Sequence, residues 1–240
     1  MGRFLLVHGA WHGGWCWSGI QESLQSRGHN SFAPDLPGHG PGATPMNRVT
    51  LPMYVKSIVE LLDKEKDPVI LVGHSMGGLV ISEAAEQRPE KIERLVYVCA
   101  FLLRSGETLA EIAQQDTRAL VMPNLVVSDD TLTAFLKPEV VRETFYARCQ
   151  PDVAVRAQRK LVPQALSPFV TPLSLSNAGF GMVPKTYVEC SHDRAISIEV
   201  QQQMNTRTKC EEVIRLESDH SPFLSCPDEL TSVLCSCTEN

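Results

Sequence analysis

A serine hydroxyl attacks a carbonyl carbon effectively only when a base takes its proton and fixed donors receive the charge that builds on the oxygen. Ser75 stands where such help can be assembled. It is the centre of G-H-S-M-G-G (73–78), which follows the apolar run Val69 to Val72 and leads into a stretch of helical character that Pro89 stops. Strand, tight turn and helix in that order form a nucleophile elbow, in which the turn lifts the hydroxyl clear of the sheet. Gly73 and Gly77, two residues to either side of Ser75, leave room for a sharp turn. Without that context the same residues would read as a helix start with Ser75 as its cap.

A serine on such an elbow expects its acid and its histidine later in the chain, each in a loop after a strand. Of the histidines at 8, 12, 29, 39, 74, 192 and 220, only His192 and His220 follow Ser75. His220, in E-S-D-H-S-P-F after the last expected strand, is in the position of a general base. His192 is one residue from Asp193 and too close in sequence to be oriented by it. Asp193, in S-H-D-R after the strand 185–190, is the preferred acid. Its competing reading is an acid at a helix N-terminus or a partner of Arg194. Asp219 adjoins His220 and turns back onto its ring with difficulty, and Glu189 lies inside the strand. The two oxyanion donors expected are the backbone N–H of Met76 and that of Ala10, in the H-G-A-W loop after the first strand.

The surrounding pattern sets these residues on a regular frame. Strands are expected at Arg3 to His8, Ser31 to Ala33, Val69 to Val72 and Leu95 to Ala100. Helices are expected at about 17–26, 51–64 and 76–88, the second from apolar residues recurring at three and four positions. The glycine- and proline-rich segment 34–42 reads as a loop. Alternating β and α units indicate the α/β class with a parallel sheet and right-handed crossovers. The rhythm breaks at 101–183, where Pro123, Pro138, Pro151, Pro163, Pro168 and Pro172 interrupt helical patches at Thr108 to Ala119 and Val140 to Ala147. A mainly helical lid, inserted within a single domain of 1–240, is expected there. Strand 185–190, helix 196–204, strand 211–216 and helix 228–235 then resume the alternation.

Composition narrows the class of partner. With 240 residues, 43% hydrophobic and 21% charged, the chain suits one large core. Its net charge of −6 is scattered and includes no basic tract for nucleic acid. No apolar run approaches a membrane span, and Phe4 to Val7 is too short for an export signal, so a cytoplasmic location is expected. The eight cysteines read as reduced thiols. Cys235 and Cys237 form a C-x-C that lacks a second ligand pair, so neither metal nor cofactor is expected. Oligomeric state has no signature here, and a homodimer stays open.

Six segments together resemble the α/β-hydrolase superfamily: F-L-L-V-H-G-A-W-H-G-G-W-C-W (4–17), P-D-L-P-G-H-G (34–40), G-H-S-M-G-G (73–78), A-F-L (100–102), S-H-D (191–193) and S-D-H-S-P-F (218–223). Within it the chain is similar to the esterase and hydroxynitrile lyase group, which includes plant methylsalicylate esterases and bacterial relatives, some of which hydrolyse pyrethroid esters. That resemblance implies a Ser75, Asp193, His220 triad with oxyanion donors at Ala10 and Met76. The lyases of the group carry a lysine after the catalytic histidine and a threonine at the position of Ala10. Ser221 and Ala10 therefore point to ester hydrolysis, and Ser75 departs from the aspartate nucleophile of epoxide hydrolases and dehalogenases.

The insertion is expected to shape the substrate pocket, with Phe101, Leu102, Leu120, Phe135 and Phe145 as apolar contacts and Trp11 beside them. Leu125, Phe169 and Phe180 are further candidates, though apolar residues of this kind more often pack within the insertion than touch substrate. The expected partner is an uncharged, largely hydrophobic small-molecule ester. A lactonase or a carbon–carbon bond hydrolase with the same triad, and a small-ligand receptor on the same fold, are the competing readings.

Overall fold

Phe4 to Val7 and Val69 to Val72 are apolar without alternation because both become strands covered on both faces. In the computed structural model, which describes residues 1–40 and 44–238, they lie side by side in parallel register, Phe4 opposite Ile70 and Val7 opposite Gly73. Residues 41 and 42, the end of the expected 34–42 loop, lie outside the described residues.

The first half runs β1 (Arg3–Val7), α1 (Ser18–Ser26), β2 (Asn30–Phe32), α2 (Leu51–Leu62), β3 (Val69–His74), α3 (Gly77–Gln87) and β4 (Ile92–Val98). The insertion contributes α4 (Leu109–Gln115), β5 (Leu125–Val127), β6 (Thr133–Leu136), α5 (Pro138–Phe145), α6 (Pro151–Gln158), β7 (Gln164–Ala165) and α7 (Ser167–Val170). The chain closes with β8 (Lys185–Cys190), α8 (Ile198–Arg207), β9 (Glu212–Leu216), α9 (Pro222–Ser225) and α10 (Pro227–Ser236).

Six strands pair in the order β2-β1-β3-β4-β8-β9, all parallel. Helices α1 and α10 cover one face through Ile20, Leu24, Leu230 and Leu234, with Trp17 just before α1 beside them. On the other, α2 and α3 pack Tyr54, Ile58, Leu62, Leu79 and Ala84 against the sheet. The chain leaves β1 toward β2 on one side and returns as β3 on the other, so the order reverses between β1 and β3. Ligand sites of open α/β sheets form at such a switch point, outside the carboxyl ends of the strands. The loops leaving those two ends carry Ala10 and Ser75.

The insertion is mainly helical, as expected, and adds a small antiparallel sheet of β5, β6 and β7 that the sequence did not announce. Strands of two to four residues are too short to show a period of two, and β7 joins β6 from about thirty residues away, so local sequence carries no signal for them. The segment's two ends pair with each other, Gly106 N donating to Leu173 O at 2.8 Å and Leu173 N to Glu107 O at 3.1 Å. Among the described residues no helix is long and apolar enough to cross a membrane.

Candidate active site

Ser75 leaves β3 at φ +54°, a left-handed conformation that costs a non-glycine residue about 1 kcal/mol or more and needs its surroundings to hold it. The holding comes from β4 and its loop: Ser75 N donates to Val98 O at 3.4 Å, and Ser75 O accepts from Phe101 N at 3.1 Å. A Cβ at Gly73 would lie 2.9 Å from the Gly77 carbonyl, and one at Gly9 would lie 2.7 Å from Ser75 Cβ. Glycine at these two positions is what lets the elbow close and the β1 loop come against it.

From the carboxyl end of β8, Asp193 turns into a shell of donors. Its Oδ1 accepts from the amides of Ala195 and Ile196 at 2.7 and 3.0 Å, and its Oδ2 from His220 Nδ1 at 2.7 Å and Gln201 Nε2 at 3.3 Å. Both side chains are essentially excluded from water. A carboxylate only accepts, so Nδ1 of His220 carries the proton and Nε2 is the nitrogen left to act as a base. Asp219 is engaged elsewhere: Oδ2 accepts from Arg148 N at 2.7 Å and Cys149 Sγ at 3.7 Å, and Oδ1 from Ser221 N at 3.0 Å. It ties the insertion to the histidine loop. His192 bonds Glu217 at 2.8 Å on the surface.

Sequence reasoning missed Gln201. On α8, fully buried, it accepts from Cys190 N at 3.0 Å and donates to Ile196 O at 2.8 Å and Asp193 Oδ2, holding the end of β8, the acid loop and the carboxylate together. A buried glutamine in a helix has no sequence signature that separates it from a surface one.

It also missed the histidines of the first forty residues. Leu36 N donates to His8 Nε2 at 3.0 Å, so Nδ1 holds the proton and donates to Gly9 O at 2.8 Å. In a trans peptide the C=O and N–H point in opposite directions, and this bond therefore aims the Ala10 N–H the other way. His12 Nδ1 donates to Ala10 O at 2.8 Å, and His39 Nδ1 to His12 O at 2.6 Å. The Tyr54 hydroxyl donates to His39 Nε2 at 2.9 Å. Burial holds these rings neutral, lowering His12 to about 3 and His39 to about 4 and pushing His8 well below its ordinary value. Among the described residues neither the Ala10 nor the Met76 amide has an acceptor, and both residues border the same cavity as Ser75.

His74, Cys99 and His220 bring donor atoms within 4.8 Å of one another, a grouping with the composition of a metal site. His74 Nε2 and Cys99 Sγ instead converge on the His220 carbonyl oxygen, at 2.7 and 3.5 Å, while His220 Nδ1 bonds Asp193. These bonds anchor the histidine loop to the ends of β3 and β4.

The cavity, of about 110 Å³, opens onto Ser75 and His220, and every other side chain around it is apolar. Of the six residues expected to contact substrate, Trp11, Phe101 and Phe145 line it. Three expectations are corrected. Phe135 is 41% exposed on the outer face of β6, where alternation turns Ala134 and Leu136 inward instead. Leu102 is buried within the core cluster beneath, outside the cavity wall. Leu120 borders a separate open cleft, with Arg118, Arg148 and Arg194, beyond Asp193. Leu125 and Phe169 reach the cavity, and Phe180 packs under Lys185 Nζ. Missed residues include Leu109, Ala110 and Ala113, one stripe of α4 whose spacing was a usable signal.

Methylesterase 7 of Arabidopsis thaliana is 32% identical over 97% of this chain and 94% of its own length. The pyrethroid hydrolase of Sphingobium wenxiniae is 30% identical over 96% of this chain and 85% of its own. Tomato methylketone synthase I, solved with 2-tridecanone, superposes with a TM-score of 0.89 at 25% identity, covering 99% of this chain and 98% of that one. Residues 4–233 match the family model described as the Alpha/beta hydrolase family, and the chain belongs to that family as an esterase-like member.

Proposed function

We propose that this chain is a serine carboxylesterase acting on uncharged, largely hydrophobic carboxylic esters through an acyl-enzyme. The reading rests on one observation above all: His220, oriented by Asp193 at 2.7 Å, shares with Ser75 the mouth of a cavity that is otherwise apolar. His220 Nε2 takes the Ser75 proton as Oγ attacks the ester carbonyl. The Ala10 and Met76 amides receive the oxyanion, and the imidazolium, steadied by Asp193, protonates the departing alcohol. Water then repeats the sequence on the acyl-enzyme, with His220 as base, and the acid leaves. The 101–183 segment serves as the lid that supplies most of the apolar wall.

The similarity to methylesterases and to a pyrethroid hydrolase supports an ester substrate. An apolar wall also disfavours a charged acyl group, which would lose its hydration there with no partner to replace it. Among the described residues no lysine or arginine borders the cavity, so it lacks the lysine that the lyases of the group carry.

The test is a panel of p-nitrophenyl esters and lactones with the parent chain and Ser75→Ala, together with labelling by a fluorophosphonate. Turnover of apolar esters and labelling, both abolished by Ser75→Ala, are expected. Turnover that survives the substitution would remove Ser75 from the mechanism, and binding of esters without turnover would make the fold a receptor.

A further inference from the structure

Trp11 follows Ala10 directly and stands at φ +62°, left-handed for a residue with a bulky side chain. Such a conformation persists only where neighbours over-determine it, and at Trp11 they all belong to the inserted segment. Trp11 N donates to Gln164 Oε1 at 3.4 Å, Trp11 O accepts from Val162 N at 3.0 Å, and Trp11 Nε1 donates to Ala134 O at 2.9 Å. One residue on, the buried ring of His12 makes a link with two ends. Its Nδ1 lies 2.8 Å from Ala10 O, and its Nε2 lies 2.8 Å from the hydroxyl of Tyr146, at the end of α5.

The directions of these bonds follow from the atoms. A carbonyl only accepts, so Nδ1 carries the proton, and in the neutral ring Nε2 must accept from the Tyr146 O–H. Tyr146 is fully buried and does not border the cavity, so it has no reach to a substrate. What it does reach is the geometry of Ala10. The two soft dihedrals of that residue lie between two peptide planes. His8 holds the plane before, and His12, with its ring held by Tyr146, holds the plane after.

We propose that Tyr146, acting through His12, is a positioning residue that sets the Ala10 amide toward Ser75, so that the inserted segment completes the oxyanion hole as well as covering the cavity. This rests on the reading of the Ala10 amide as an oxyanion donor. Without the Tyr146 hydroxyl, His12 Nε2 loses its hydrogen-bond donor, and that side of the ring is held by aromatic packing alone. The Nδ1 bond to Ala10 O is then free to shift, while Trp11 keeps its own bonds to the insertion. Oxyanion bonds strengthen as the tetrahedral intermediate forms, so a displaced donor lowers kcat and leaves KM nearly unchanged.

Tyr146→Phe removes one oxygen and keeps the ring. On p-nitrophenyl butyrate its kcat is expected to fall about 10- to 100-fold, the scale of a misplaced catalytic group, with KM within about twofold. His12→Asn places an amide N–H near the former Nδ1 and keeps a donor to Ala10 O while losing the contact with Tyr146. In that background Tyr146→Phe is expected to have no further effect on kcat. Where Tyr146→Phe does not fold by circular dichroism, His12→Asn and His12→Gln replace it. The glutamine puts its amide near Nε2 rather than Nδ1 and should have the lower kcat. A Tyr146→Phe chain with parental kcat, an equal loss in both backgrounds, a rise in KM alone, or equal kcat for the two His12 variants would each overturn the proposal. If Ser75→Ala also kept full turnover, the esterase reading would fall first. An inactive Ser75→Ala beside a fully active Tyr146→Phe sinks this inference alone.

Discussion

His8 Nδ1 donates to the carbonyl oxygen of the very next residue, Gly9, at 2.8 Å, and its other ring nitrogen accepts from Leu36 N at 3.0 Å. The ring thus pins the peptide whose N–H belongs to Ala10. His8→Leu should lower kcat far more than it raises KM. It should also lose stability, at about 1–3 kcal/mol for each of the two backbone groups left unpaired. Steady-state kinetics and urea unfolding measure the two effects, and unchanged kcat would show that the Ala10 peptide keeps its orientation without the ring.

Asp193 orients His220 through a single short bond while its other oxygen holds two backbone amides. Asp193→Asn should therefore keep the loop but offer the ring no anionic partner, lowering kcat by about 10³- to 10⁴-fold, as for a triad acid made neutral. Gln201→Leu should act differently, mainly by destabilising the fold, because Cys190 N and Ile196 O lose their partner. Near-normal turnover by Asp193→Asn would move the acid to another residue.

Gly78 lies in the first turn of α3, where a Cβ would come 2.2 Å from the backbone oxygen of Phe101. Alanine is better than glycine in a helix by about 1 kcal/mol, but here the clash is with backbone that cannot step aside. Gly78→Ala should destabilise the chain by about 1–3 kcal/mol and disturb the cavity wall at Phe101. Gly19 in α1 has nothing within 4 Å of its notional Cβ, and Gly19→Ala should stabilise by about 0.4–1 kcal/mol. Thermal unfolding of the pair checks both signs.

Acid should unfold this chain through its buried histidines. His12 and His39 have an ordinary value of 6.5, and burial lowers them to about 3 and about 4. Below 6.5 the unfolded chain binds protons that the native rings refuse, so stability falls as pH falls toward those lowered values and is fully present above 6.5. At pH 5 each ring would contribute a loss of about 2 kcal/mol relative to neutral pH. Burial pushes His8 and His74 in the same direction. Urea midpoints at pH 7.5 and 5.0 should differ strongly, and a flat profile would mean that the rings take up protons in the native state.

Several parts of this architecture were legible in the chain because they are local. The apolar runs of β1 and β3 and the three-and-four spacing of α2 each express one element's own burial. Chain order reduced the choice of base to His192 and His220, and the position of Asp193 at the end of a strand set it beside the latter. The insertion was read less well. Its strands are too short for a pattern, and an apolar side chain such as Phe135 looks the same in sequence whether it faces a cavity or water.

What the sequence by itself determined was the family and a candidate constellation: a serine on a glycine-flanked turn between strand and helix, with an acid and a histidine in order behind it. Those features depend on neighbours a few residues apart. The tertiary structure decided which groups hold that chemistry in place. Gln201 at Asp193, His8 and His12 at Ala10, and Tyr146 behind His12 meet through hydrogen bonds between separate elements. The His12–Tyr146 bond spans 134 residues of chain. Its partners are brought together only by the packing of the insertion over the switch point, and no local pattern encodes which buried polar groups will face each other there.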